Sequence, residues 1–200
     1  MKQHLRAIAA VGGFLVALSG GTAVAQKAGG ILKMYHFDSP ASLSLHEEVT
    51  YAALGPAMGL FNNLVMFDQH VPQASLQSVV PDLATDWSWD SSKTELSFRL
   101  RDGVKWHDGK PFTANDVKCT WDTLLGKSLE KFRLNPRKAW YQNLEEVTTK
   151  GDDEVAFHLK RPQPSFLAPL ATGWSPIYPS DDTKNAPARN LRKSLFRHAK

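Results

Sequence analysis

Residues 96–117 constrain the fold of this 200-residue chain more than any other segment. Apolar and polar side chains alternate over residues 96–101, which predicts a strand with one buried and one solvent-facing side. Two Asp-Gly pairs follow, Asp102-Gly103 and Asp108-Gly109, and each predicts a tight turn because glycine adopts positive φ without a Cβ clash. We therefore expect the first pair to close a hairpin between this strand and residues 104–106.

The same segment ends in a helix start. Thr113 is followed three residues later by Asp116, a pairing that resembles a capping box in which the acid replaces the usual Glu or Gln. The residues that follow place Val117, Trp121 and Leu124 on one helical face, because their spacing is i, i+4 and i+7. We expect that face to be buried.

The rest of the chain predicts a mixed α/β fold whose strands are mainly antiparallel. A second alternating strand is expected at residues 155–159, paired with residues 143–149 across a Gly-Asp-Asp turn. The other expected elements are a first strand at residues 35–37, a helix at 51–61 that Gly55-Pro56 breaks or restarts, a short buried strand at 64–67, a turn and strand at 81–87 and a short helix at 165–171.

The N-terminus has the features of a secretory signal peptide over residues 1–25. Lys2 and Arg6 precede an apolar stretch that is short for a membrane span, and cleavage is expected between Ala25 and Gln26. The alternative is an uncleaved membrane anchor, which the glycine pairs within the stretch disfavour. The chain is therefore expected to be exported to the periplasm.

The formal net charge of +4 belongs to the two ends of the chain. Residues 1–25 carry +2, residues 26–179 carry −2 and residues 180–200 carry +4. The globular part therefore has no basic face for nucleic acid. A single cysteine, Cys119, excludes an intramolecular disulfide, and a buried structural thiol is favoured over a nucleophile.

His107, Asp108 and Asp116 are the strongest candidates for a metal or acid/base site. Their spacing matches no helix-borne ligand pattern, and both acids already suit structural positions in a turn and a cap. No nucleophile elbow, P-loop or dinucleotide fingerprint is present in the sequence. We therefore expect no catalytic residue, no metal site and no cofactor.

The six tryptophans raise the alternative of a sugar-stacking or aromatic-cage site. Their scatter over predicted strands and a helix favours core packing. Trp89 and Trp140 lie in more polar sequence and are expected to be the exposed pair.

Several blocks of the sequence resemble the family 5 extracytoplasmic solute-binding proteins, the peptide, nickel and opine receptors of ABC importers. Residues 96–117 are the most specific of them. The other matching blocks are residues 61–68, 80–87, 155–162 and 175–179. The resemblance implies that the protein binds and delivers solutes and is not an enzyme.

The resemblance also implies a domain plan. Members of the family have a periplasmic-binding-protein-like class II fold, in which two lobes joined by a hinge close over the solute. By this likeness residues 26–179 are the N-terminal part of such a receptor, an incomplete first lobe with an accessory domain. Residues 26–60 supply the first-lobe strand and entry, and residues 61–176 form the accessory domain.

The resemblance implies that Tyr35, His36, Phe37 and Asp38 approach the solute cleft. The alternative is that Tyr35 and Phe37 are alternating core residues of a strand. The implied partners are an oligopeptide or similar small solute and the ABC permease subunits of the inner membrane.

Residues 180–200 are basic and poor in apolar side chains. They depart from the family pattern, so we expect a truncated or frameshifted gene product, with a natural disordered tail as the alternative. Two other functions stay open at this point. One is a small exported interaction domain that uses this tail, and the other is a periplasmic hydrolase that depends on His107.

Overall fold

The computed structural model describes residues 30–31, 33–128, 131–132 and 134–180. The predicted cleavage site at Ala25 and Gln26 and residues 181–200 lie outside these ranges. Contacts divide the chain into two units, Met1–Tyr35 and His36–Lys200. The described part of the first unit is irregular and exposes Ile31, Met34 and Tyr35.

All the described helices and strands belong to the second unit. None of these helices has the length and apolar character that crossing a membrane requires. In chain order the elements are α1 (Tyr51–Ala57), β1 (Val65–Phe67), β2 (Val79–Pro81), β3 (Ala84–Trp89), β4 (Glu95–Leu100), α2 (Ala114–Leu124), β5 (Leu144–Lys150), β6 (Glu154–Leu159) and α3 (Leu167–Leu170), with 3₁₀ turns at Leu76–Ser78, Lys138–Tyr141 and Pro164–Phe166.

The main sheet is antiparallel, with strand order β3-β4-β6-β5, and a second sheet pairs β1 with β2. The predicted alternation in β4 is confirmed, because Leu96, Phe98 and Leu100 are buried. Phe98 meets Phe157 of β6 edge-to-face at 5.5 Å, and Phe157 meets Trp121 of α2 at 5.4 Å. The core therefore lies between α2 and one face of the sheet.

The hairpin predicted across Asp102-Gly103 is wrong. Both edges of β4 are already paired, with β3 on one side and β6 on the other, so residues 104–106 have no edge to join. The chain still turns at Gly103, whose φ is +72°. The second Asp-Gly pair closes a small hairpin of its own, in which Lys105 bridges Pro111.

The predicted capping box at the start of α2 is confirmed. The backbone N–H of Thr113 donates to Asp116 Oδ2 at 2.8 Å, and the backbone N–H of Asp116 donates back to the Thr113 side chain. Trp106 Nε1 donates to the same carboxylate oxygen at 3.2 Å, and the backbone N–H of Ser180 donates to Oδ1 at 2.7 Å. Asp116 is only 3% exposed, so one buried carboxylate joins the loop at residues 104–111, the helix and the chain at residue 180.

The first strand predicted at residues 35–37 does not form. The segment is irregular, because no strand in the described ranges pairs with it. Helix α1 forms where it is predicted and contains Pro56, but it ends at Ala57 rather than reaching Phe61. The later strands β5 and β6 pair as expected, with Val147 opposite Phe157.

Replacing Asp116 with alanine should lower the free energy of unfolding by about 2–3 kcal/mol, because a helix cap is lost and buried donors are left unpaired. Urea denaturation followed by far-UV circular dichroism measures the change. Asp102→Ala is the matched control, since this acid lies in an exposed turn and should cost under about 0.5 kcal/mol. Equal losses in the two variants would contradict the role given to Asp116.

Candidate functional site

Helix α1 presents an apolar stripe to solvent. Tyr51, Gly55 and Met58 are spaced i, i+4 and i+7 and therefore share one side of the helix. Tyr51 is 73% exposed and Met58 is 49% exposed, whereas Ala53 and Ala57 on the other side are buried. Clustered exposed apolar side chains of this kind are typical of sites of ligand or protein interaction.

One flank of the stripe is formed by His36 and Phe37, two of the four residues for which the resemblance implies solute contact. His36 Nε2–H donates to the Ala52 carbonyl at 3.0 Å, and the imidazole closes over Gly55. A Cβ at Gly55 would lie 3.0 Å from His36 Cε1, so this contact depends on glycine. The ring of Phe37 is 4.7 Å from the His36 ring and 65% exposed. We call Phe37, Tyr51, Gly55 and Met58 the α1 face.

The other two predicted residues are placed differently. Asp38 Oδ1 accepts the backbone N–H of the adjacent Ser39 at 2.8 Å, which is a local turn contact. Tyr35 belongs to the first unit and is 91% exposed. The structure therefore brings His36 and Phe37 to α1, and solute contact by any of the four residues stays a prediction.

The opposite flank of α1 opens into a groove of about 350 Å³. The ring of Trp174 lies 6.4 Å from that of Tyr51, and Gly173 packs so closely that a Cβ there would be 3.0 Å from Leu54 Cδ1 and 3.1 Å from Met58 Cγ. The groove is lined mostly by aromatic, methionine and aliphatic side chains, with a few amides and Asp82 among them.

The polar part of the groove is held in place by Asp82. Its Oδ1 accepts the side-chain N–H of Asn62, and its Oδ2 accepts the backbone N–H of Asn63, both at 2.9 Å. Asn63 in turn donates from Nδ2 to the Thr172 carbonyl at 2.7 Å. An apolar wall with a few fixed polar groups suits the binding of a small organic solute.

The chain enters α1 through a buried turn. His46 is fully buried, and its Nε2–H donates to the Pro176 carbonyl at 2.9 Å. The pKa of this imidazole is lowered to about 4, chiefly by burial and also by the nearby Arg137 guanidinium, while the hydrogen bond to the Pro176 carbonyl opposes the shift. The ring meets Tyr178 edge-to-face at 4.8 Å. His46 is therefore neutral and fixed as the Nε2–H tautomer.

The candidates for acid/base chemistry occupy structural positions. Asp108 Oδ1 accepts the backbone N–H of Lys110 at 3.1 Å, as a turn-forming aspartate does, and His107 is exposed in the same turn. Within the described ranges no three histidine, cysteine or acidic side chains are grouped as a metal would need. The structure assigns Asp116 to the helix cap.

The tryptophans divide between core and surface. Trp121 is 1% exposed, and Trp87, Trp89 and Trp106 are half-buried against the main core. Trp140 is exposed as predicted, but Trp89 is not, because β3 turns it toward the core cluster. Cys119 is buried as expected.

Sequence reasoning missed Tyr51, Met58 and Trp174. The sequence does contain a signal for Tyr51 and Met58, because they are apolar residues at helical spacing on the side of α1 that is not packed against the core. A short helix cannot bury apolar residues on both of its sides. Trp174 carries no such signal, because its contact with Tyr51 joins residues far apart in the chain.

The comparisons with known proteins agree with this architecture. The sequence model of the bacterial extracellular solute-binding proteins, family 5 (middle region), matches residues 78–193, more than half of the chain. The chain belongs to this family. The resemblance carried by residues 96–117 is thereby confirmed, and the family consists of solute-binding proteins rather than enzymes.

Three similar proteins illustrate the match. A putative ABC transporter peptide-binding protein of Brucella ovis is 33% identical over 137 residues, covering 68% of this chain and 24% of its own length. The dipeptide-binding protein of Escherichia coli K12 is 30% identical over 131 residues, covering 59% and 24%. The structure of the oligopeptide-binding protein AppA from Bacillus subtilis, in complex with a nonapeptide, matches with a TM-score of 0.64 and 26% identity, covering 79% and 29%.

The structural match confirms the predicted fold class, mixed α/β with antiparallel sheets, as part of a family 5 binding protein. The chain spans about a quarter of the length of the curated relatives it matches.

Lowering the pH should destabilise the protein through His46. The pKa of this group is about 4 when folded and 6.5 when unfolded, so only the unfolded chain takes up a proton between these values. The free energy of unfolding therefore keeps its full value above pH 6.5 and falls as the pH is lowered from 6.5 to about 4. The total loss is about 3 kcal/mol, at 1.36 kcal/mol per pKa unit.

Urea denaturation at a series of pH values measures this slope. His46→Gln should flatten it, because the amide is neutral throughout and keeps a donor for the Pro176 carbonyl. The control is His70→Gln, since His70 lies in an exposed loop. An unchanged slope in His46→Gln would show that other groups cause the acid sensitivity.

Replacing Gly55 with alanine should displace His36 from α1. The new Cβ would meet His36 Cε1 at 3.0 Å, and the hydrogen bond to the Ala52 carbonyl should weaken. The Hε1 resonance of His36 in two-dimensional NMR measures the change. In Gly59→Ala the nearest atom to the new Cβ is 3.8 Å away, so the resonance should stay in place. Equal resonance positions in both variants would contradict the packing described.

Proposed function

We propose that this chain supplies part of the solute-binding component of an ABC importer for peptides or similar small solutes. Its membership of a solute-binding family supports the general function. The peptide-binding names of the Brucella ovis and Escherichia coli relatives, and the nonapeptide in the AppA structure, support peptides as the solute class.

The observation that carries this proposal for the present chain is the α1 face beside its groove. An exposed tyrosine, phenylalanine and methionine offer van der Waals contact to a solute without selecting strongly for its side chains. Asn62 and Asn63, which are hydrogen-bonded to Asp82 at the groove, offer a few fixed hydrogen-bond partners. This combination suits solutes that vary in sequence, such as short peptides.

The proposal includes a location and a partner. The signal peptide expected at residues 1–25 supports export to the periplasm. The ABC transporter names of the relatives support delivery of the solute to permease subunits in the inner membrane. His36, Phe37 and Tyr51 are proposed to contact the solute, and solute contact by Tyr35 and Asp38 stays a prediction of the family resemblance.

The 200-residue chain alone should bind dipeptides and oligopeptides weakly, with Kd above about 1 mM, because one open wall buries too little of a solute. Isothermal titration calorimetry measures this. Micromolar binding by the chain alone would contradict the idea that a second wall is needed.

A chimera tests the function itself. The matched segment of the Escherichia coli dipeptide-binding protein is replaced by the corresponding residues of this chain, and dipeptide binding is measured by calorimetry. We expect binding to persist and Tyr51→Ala to weaken it about tenfold, a loss of about 1.4 kcal/mol. Lys93→Ala, in the β3–β4 turn, is the control and should bind as the parent does. A folded chimera that binds no dipeptide counts against the proposal.

A further inference from the structure

The stretch leading into α1, residues 43–48, is a buried turn rather than a surface loop. The backbone N–H groups of Glu47 and Glu48 both donate to the Ser44 carbonyl, at 2.9 and 3.1 Å. Leu45 is 1% exposed and His46 is fully buried. Tyr51 follows within a few residues, so the position of the α1 face depends on what holds this turn.

Arg137, which lies 92 residues after Leu45 in the sequence, holds the turn. Its Nη1 donates to the Leu45 carbonyl at 2.9 Å, and its Nη2 donates to the Glu48 carbonyl. The residue is 5% exposed, and no described carboxylate lies within ion-pair distance of it. The guanidinium fork is therefore used on two backbone carbonyls of the same turn.

The face of the same guanidinium is covered by aromatic rings. Its Cζ lies 3.9 Å from the centroid of the Trp174 ring and 5.8 Å from that of Trp140. Trp174 also contacts Tyr51 and lines the groove. The edge of the Arg137 guanidinium thus fixes the backbone before α1. Its face fixes Trp174, which forms the neighbouring wall of the groove.

We propose that Arg137 is a positioning residue for the α1 face, acting through the Leu45 and Glu48 carbonyls and through Trp174. Only the expected effect of Arg137 on solute binding rests on the proposed function. Lysine cannot replace arginine here, because an ammonium group lacks the planar fork and the stacking face. Among the described residues, no hydrogen bond, ion pair or cation–π contact joins Arg137 to the α1 face, so its effect on a solute is indirect.

The first test measures backbone motion in the full 200-residue chain by amide hydrogen exchange. Arg137→Lys should speed exchange of the amides in residues 45–54 by about tenfold, while those of β4 and β6 change by less than about threefold. Arg137→Gln, which keeps a planar donor, should lie between the parent and the lysine variant. Arg161→Met is the matched control, since Arg161 is exposed, and should exchange as the parent does.

Two results would overturn the proposal. One is exchange in residues 45–54 equal to that of the parent. The other is a uniform rise across β4, β6 and α1, which is the signature of general destabilisation.

The second test places Arg137→Lys in the chimera with the Escherichia coli remainder. Dipeptide affinity should fall about tenfold while the chimera stays folded. If the parent chimera binds no dipeptide, the proposed function fails, and the exchange measurement still decides the role of Arg137 by itself. If the parent binds and the variant binds equally well, the positioning role is refuted.

Discussion

The buried carboxylate of Asp116 holds together the loop at residues 104–111, the start of α2 and the chain at residue 180. It caps α2, accepts the Trp106 indole and accepts the backbone N–H of Ser180. A buried carboxylate needs such donors, because an unpaired charge in this position would cost several kcal/mol. The orientation of α2 is thereby tied to this loop, and α2 in turn carries Trp121 into the core against Phe157 of the sheet.

The region around α1 depends on a second set of interactions. Its small core is built on the buried turn and on Tyr178, and the imidazole of His46 joins that core to the Pro176 carbonyl. Burial lowers the pKa of His46 and raises that of the Tyr178 hydroxyl, so both groups stay neutral at physiological pH. The Arg137 guanidinium brings a positive charge to this site, and it is directed at backbone carbonyls.

The sequence predicted what depends on near neighbours. Alternation located β4 and β6, and the spacing of Thr113 and Asp116 located the start of α2. The hairpin at Asp102-Gly103 was predicted wrongly. The Asp-Gly pair indicates a turn from neighbouring residues alone, whereas the pairing of both β4 edges depends on β6, which lies far along the chain. The contacts of His46 with Pro176 and of Arg137 with Leu45 span 130 and 92 residues, and no residue pattern in a single sequence encodes such pairings.

The segment that identifies the family and the surface proposed to meet solute have different physical tasks. In residues 96–117 the characteristic side chains form turns, a cap and core contacts, so changing them costs stability. On the α1 face, Tyr51 and Phe37 project into solvent, so changing them costs little packing. A family whose members bind different solutes needs this separation, because selectivity can then vary at exposed positions while the framework is kept. The contacts of Arg137 supply the link, since they hold the turn that leads into this exposed surface in a fixed place.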